Sequence, residues 1–149
     1  MNNQYELMLS QLKALLEDEH DMIANMANTS ALLNESLQDI NWVGFYLYKN
    51  EELILGPFQG KVACVHIPLN KGVCGKSART RQIICVEDVH AFPGHIACDC
   101  ASRSEIVIPL IKKDTLLGVL DIDSPQLARF SEEDAQYLQK AADILLQSL

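Results

Sequence analysis

The chain of 149 residues has no excess of positive charge, no apolar run of membrane-spanning length and no Cys-x-x-Cys pair. With 12 Lys and Arg against 20 Asp and Glu, the formal net charge is −8. A nucleic-acid partner needs a basic patch that displaces counterions, so that class is excluded. Apolar runs too short for a bilayer exclude membrane insertion. The first residues carry neither a basic nor an apolar signal stretch, and the first helical segment bears Glu17, Asp18 and Glu19. No secretory signal is therefore expected, and the expected compartment is the cytoplasm. Five cysteines, an odd number without two-residue spacing, do not read as a disulfide scaffold. Repeats, linkers and low-complexity stretches are also missing, so one domain over residues 1–149 is expected.

What is present is ordinary globular composition, 48% hydrophobic and 21% charged, which rules out disorder and fibrous classes. Within it the cysteines stand out. Cys64, Cys74 and Cys98 lie in glycine-containing or irregular stretches beside polar residues, better placed for redox chemistry than for holding a fold together. Cys74, between Val73 and Gly75, is poorly placed for core packing and falls near a helix N-terminus, which predicts a lowered pKa. Cys98, in an irregular loop, suits a nucleophile that must be reached. Cys64 alternates with apolar residues and reads equally as a small buried hydrophobe. Cys85, inside Gln82–Val86, reads as one plainly. Cys100 repeats Cys98 at i+2 and is open to either reading.

Hydrophobic periodicity predicts two helices over about 3–38, from Tyr5, Met8, Leu9, Leu12, Leu15 and Leu16 and then Met22, Ile23, Met26, Leu33 and Leu37. The period then becomes two. Strands are predicted at Trp42–Tyr48, Leu53–Leu55, Lys61–Pro68, Gln82–Val86, Glu105–Ile111 and Leu116–Asp123, with hairpins at Lys49-Asn50-Glu51 and Lys112-Lys113-Asp114. Gly72–Arg81 reads as a short helix and Val89–Ala101 as a functional loop. A last helix over about 131–148 has Ser131 as N-cap and Glu132, Glu133 and Asp134 in its first turn. Helices flanking hairpin-joined strands predict an α+β fold with a central antiparallel sheet, its sheet and pocket spanning about 41–124.

Strand alternation places the chemistry. Val43, Phe45 and Leu47 share a face, as do Ile106, Ile108 and Leu110, and Leu120 and Ile122. These faces are aliphatic and suit packing against the terminal helices. The opposite faces carry Trp42, Tyr46, Glu105, Asp121 and Asp123, which line one surface if the three strands are neighbours. An aromatic box beside three carboxylates fits a small cationic ligand with a polarisable or methyl-bearing group. Crowded acids also raise one another's pKa, which keeps one available as a general acid. Acids on an exposed strand face are otherwise simply solvated, and Trp42 and Tyr46 read equally as core aromatics; three nearby cysteines favour a site. A tetrahedral metal set from His90, His95, Cys98 and Cys100, with Cys64 or Cys74, competes, but its spacing is not a common zinc pattern. His66 reads as a surface residue.

Seven segments in order carry a resemblance: Asn41–Leu47, Ala63-Cys64 with Ile67-Pro68, Gly72–Gly75, Glu87–His90, Gly94–Asp99, Ser104–Leu110 and Gly118–Ser124. With three cysteines at gaps of ten and twenty-four residues, the chain resembles the free methionine-(R)-sulfoxide reductases, single GAF-domain enzymes, over roughly residues 38–146. The resemblance implies helices on one side of the sheet and a pocket under loops on the other. It implies free methionine-R-sulfoxide as substrate. It also implies Cys98 as attacking cysteine, Cys74 as the thiol that resolves it, Cys64 as a third thiol in the relay, and Trp42, Tyr46, Glu105, Asp121 and Asp123 as pocket residues. Glu105 or an Asp such as Asp123 would protonate the sulfoxide oxygen. No metal or organic cofactor is implied, only a thioredoxin-type dithiol reductant. Cys100 departs from the family pattern and leaves the disulfide pairing open. A homodimer through the terminal helices is compatible with the sequence. Two other functions compete: a ligand-sensing GAF module, which would bind without turnover, and a zinc-dependent regulator, which would retain zinc on purification.

Overall fold

The change of hydrophobic period near residue 40 is where the chain passes from helix to sheet. The structure, a computed structural model, describes residues 2–95 and 101–149. Helix α1 (Asn3–Leu16) starts at Asn2, whose side chain accepts from the amides of Gln4 and Tyr5. Helix α2 (Met22–Ser36) starts at Asp21, which accepts from Ala24. The sheet strands are β1 (Trp42–Lys49), β2 (Glu52–Gly60), β3 (His66–Pro68), β4 (Ile84–Val86), β5 (Ser104–Lys112) and β6 (Thr115–Ser124). Helix α3 (Gly72–Thr80) lies between β3 and β4, and α4 (Glu132–Ser148) closes the chain. A 3-10 turn spans Val89–Ala91.

The sheet order is β3-β2-β1-β6-β5-β4, and every pairing is antiparallel. Two tight hairpins set its register. Asn50 and Glu51, and Lys113 and Asp114, all adopt positive φ, the paired left-handed geometry whose twist matches that of the flanking strands. The adjacency on which the shared pocket face depended is met: β1, β6 and β5 lie side by side.

Parity then sorts the molecule into two layers. Val43, Phe45, Leu47, Ile106, Ile108, Leu110, Leu120 and Ile122 form one core with Met8 and Leu12 of α1, Met26 and Leu33 of α2, and Leu138 and Leu145 of α4. Helix α4 holds its end of this layer through a capping box between Ser131 and Asp134. The Tyr5 hydroxyl donates to Asp134 Oδ1 at 2.6 Å, and Arg129 Nη1 donates to Asp134 Oδ2 at 3.2 Å. The opposite sheet face carries a second, smaller core with Trp42, Tyr46, Val107 and Val119, against Val73, Cys74 and Ala78 of α3.

Three expectations are corrected. The strand predicted over Lys61–Pro68 is only His66–Pro68; the preceding residues cross the second face as a loop held by side chains of β1. Strand β4 begins at Ile84, not Gln82. Cys85 is exposed, not buried. Strand β4 is the sheet edge, so Cys85 lies beyond the helical cover and donates to the Phe130 carbonyl at 3.4 Å. His66 is exposed as expected and pairs with Glu52. Among the described residues, no helix is long and apolar enough to cross a membrane.

Candidate active site

Two ladders bring the acids and aromatics into one row. Trp42 on β1 is opposite Asp123 on β6, and Asp123 is opposite Glu105 on β5. One step along, Gly44 is opposite Asp121, and Asp121 is opposite Val107. Gly44 leaves this row open for a neighbour: a Cβ there would stand 2.2 Å from Phe58 Cβ. Phe58 stacks on Trp42 with ring centroids 5.2 Å apart, and Tyr46 stacks with Trp42 at 5.9 Å. The cavity formed here is lined by Trp42, Tyr46, Cys74, Glu105, Asp121 and Asp123, together with Ala63, Ile67, Gly72, Val73, His95 and Ser102.

The aromatics also hold the cover. Trp42 Nε1 donates to the Lys61 carbonyl at 3.1 Å, and the Tyr46 hydroxyl donates to the Cys64 carbonyl at 3.0 Å. Carbonyls that a strand would have paired in a ladder are satisfied instead by two pocket side chains. This is why the loop before β3 is not a strand, and its Ala63 lines the cavity. On the other side, the Gly72 amide donates to the Gly94 carbonyl at 3.0 Å, tying the start of α3 to the segment that leads towards Cys98.

Glu105 and Asp121 are 7% and 5% exposed, so the alternative of solvated surface acids does not hold for them. Burial, then the neighbouring Asp121 and Asp123, push the Glu105 carboxyl well above the usual carboxylate range. Burial also raises Asp121, although hydrogen bonds from Glu105, Cys74 and Asp123 oppose the shift. The pocket can therefore hold a neutral carboxylic acid beside an anionic one. Burial raises the Tyr46 hydroxyl as well, reinforced by Asp121.

Cys74 lies at the first turn of α3, as its glycine neighbours suggested, but its thiol is shifted upwards, not downwards. Burial and the charges of Asp121, Glu105 and Asp123 outweigh the helix dipole. It is packed in the second core, and its Sγ–H donates to Glu105 Oε2 at 3.8 Å. Cys64 is disulfide-bonded, whereas Cys74 and Cys85 are free thiols. Cys98 and Cys100 lie outside the described residues. Of the competing metal set, His90 and His95 meet edge to face at 6.2 Å, while Cys74 has Glu105 and Asp121 as its partners. Burial and His90 lower the His95 pKa.

Sequence reasoning missed Ser102, whose Oγ accepts from Asn41 Nδ2 at 3.1 Å, and the apolar floor from Ile67 and Val73. Asn41 was visible only as the first residue of the segment Asn41–Leu47, beside Trp42. Ser102 lies at the loop's end, where no periodicity points to it.

The GAF domain family matches residues 9–149. The free methionine-R-sulfoxide reductase of Escherichia coli K12 is 57% identical over 127 residues, 85% of this chain and 77% of that protein. The solved structure of fRMsr of Staphylococcus aureus in complex with substrate is 54% identical with a TM-score of 0.94, covering 97% of this chain and 95% of that one. The free methionine-R-sulfoxide reductase of Neisseria meningitidis in complex with its substrate is 45% identical with a TM-score of 0.94, covering 99% of this chain and 90% of that one. These matches cover most or nearly all of the chain, which belongs to the GAF-domain family of free methionine-R-sulfoxide reductases.

Proposed function

We propose that this protein reduces free L-methionine-(R)-sulfoxide to L-methionine with thiols as the electron source. The observation that carries this reading is the row Trp42–Asp123–Glu105 with Asp121 beside it, covered by the loop of a disulfide-bonded cysteine. The carboxylates suit the substrate ammonium, and the Trp42 and Tyr46 rings suit the S-methyl group.

In the reaction, the Cys98 thiolate attacks the sulfoxide sulfur while the neutral Glu105 carboxyl protonates the oxygen. Methionine leaves, and Cys98 carries the oxygen as a sulfenic acid. A second thiol condenses with it, forming a disulfide and releasing water. Cys64 is the better resolving thiol, since it is the described cysteine found in a disulfide. Cys74, buried and with its pKa raised, is the poorer one. A thioredoxin-type dithiol then exchanges with the disulfide and returns both cysteines to thiols. Neither a metal nor an organic cofactor enters these steps.

The test is consumption of free L-methionine-R-sulfoxide with dithiothreitol, against the S epimer and an N-blocked R-sulfoxide. Turnover of the free R form alone is expected. Binding of that compound without turnover, in folded and fully reduced protein, would make the chain a ligand-sensing module.

A further inference from the structure

Cys74 has no part in the disulfide. It is 4% exposed, on the first turn of α3, with its sulfur turned to the carboxylates of β5 and β6. Cys74 Sγ, a Glu105 oxygen and an Asp121 oxygen all lie within 4.8 Å of one another. Asp121 is itself 5% exposed, and its buried Oδ1 has no hydrogen-bond partner among the described residues. A substrate ammonium accounts for the acids but gives a thiol nothing to do.

One sulfur and two carboxylate oxygens, on three different elements, make a mixed donor set. Magnesium and calcium take oxygen ligands and gain nothing from sulfur. Zinc is borderline soft, binds thiolate and carboxylate together, and is satisfied by three protein ligands with a further small group. We propose that Cys74, Glu105 and Asp121 form a binding site for a zinc-like divalent cation, which occupies the substrate's carboxylates and holds the enzyme off. The cation is an inhibitor here, with no place in the reaction. On binding, the Cys74 S–H and Glu105 O–H bonds break heterolytically, their electron pairs form the metal–sulfur and metal–oxygen bonds and both protons go to solvent, with no change of oxidation state. The inhibitory consequence rests on the proposed reductase activity; the binding itself does not.

Cobalt(II) is the probe, because a cobalt–thiolate bond gives a near-ultraviolet charge-transfer band. It is titrated into oxidised protein, in which Cys64 is held in its disulfide. A band saturating at one equivalent is expected. It should persist in Cys85→Ser, vanish in Cys74→Ala, and need roughly tenfold more cobalt in Asp121→Asn. Free methionine-R-sulfoxide should raise the cobalt concentration needed. No band, or a band retained in Cys74→Ala, overturns the site. Circular dichroism confirms that Cys74→Ala is folded; if it is not, Asp121→Asn decides, and an unchanged cobalt affinity there overturns the site. Zinc should then inhibit turnover competitively with substrate. Metal-free wild type that turns nothing over would refute the reductase reading while leaving the cobalt result to stand or fall separately.

Discussion

Glu105 and Asp123 face each other across the β5–β6 ladder, with Trp42 opposite Asp123 on the other side. Direct opposition of two acids in a sheet is unfavourable in itself. It persists here because burial and the neighbouring acids raise the Glu105 pKa, so that one of the two carboxyls can stay neutral. Glu105→Gln and Asp123→Asn should each lower kcat/KM, by about 10²-fold or more if the carboxyl acts as proton donor. Steady-state kinetics of both variants check this; wild-type values in both would remove the acids from the reaction.

The same burial predicts a stability effect of definite sign. The Glu105 carboxyl is raised in the folded protein, so folding is favoured while the group stays protonated. Stability is lost as pH rises from the ordinary carboxylate range through the raised folded value. Glu105→Gln removes that loss and should be the more stable protein at neutral pH, by on the order of 1–2 kcal/mol or a few degrees in Tm. Thermal melts of both proteins at pH 5 and pH 8 test it: the advantage of the variant should grow with pH.

Asp134 behaves in the opposite way. Burial alone would raise it, but the Tyr5 hydroxyl, the Ser131 backbone and the Arg129 guanidinium hold it below the usual carboxylate range. Its contribution is complete above the ordinary carboxylate value and is lost as pH falls through the lowered one. Tyr5→Phe should cost about 1 kcal/mol at pH 7 and less at low pH. Urea unfolding at pH 7 and pH 3 measures the difference.

Much of this was legible in the sequence, and the reason is strand parity. One alternation put Phe45, Ile108 and Leu120 on the helix-covered face and Trp42, Glu105 and Asp121 on the other, and the ladders keep that division. The α4 start was equally legible, because capping chemistry is local: Ser131 and Asp134 satisfy each other's amides. Tertiary context decided the rest. Cys85 has a strand-like, apolar sequence neighbourhood but an edge position, which only the sheet order reveals. Cys74 has the sequence of a low-pKa helix-start cysteine, but burial, and then acids from strands thirty and more residues away, reverse its shift. The loop before β3 has strand composition, yet Trp42 and Tyr46 take its carbonyls.

Gly44 is a position where backbone freedom is not the issue but space is. Gly44→Ala puts a methyl against Phe58, whose Cβ would be 2.2 Å away. The change should destabilise by roughly 1–3 kcal/mol and move Phe58 off the Trp42 ring. Denaturation together with substrate affinity should report both losses; an unaffected KM would detach Phe58 stacking from the shape of the pocket.

The cysteine roles separate in single substitutions. Cys98→Ser should abolish turnover without unfolding the protein. Cys64→Ser should still release methionine once but form its intramolecular disulfide slowly. Cys74→Ser should form that disulfide at close to the normal rate, and Cys85→Ser should match wild type. Peptide mapping of the oxidised variants identifies the linkages, and loss of the disulfide in Cys74→Ser would return the resolving role to Cys74.

A single turnover tests thiol-dependent reduction most directly. Fully reduced protein, freed of external thiol, is mixed with excess free L-methionine-R-sulfoxide, and both methionine and remaining thiols are counted. The predicted result is one methionine released per chain with the loss of two thiols. Methionine formed without thiol loss, or no methionine from folded and reduced protein, would contradict it.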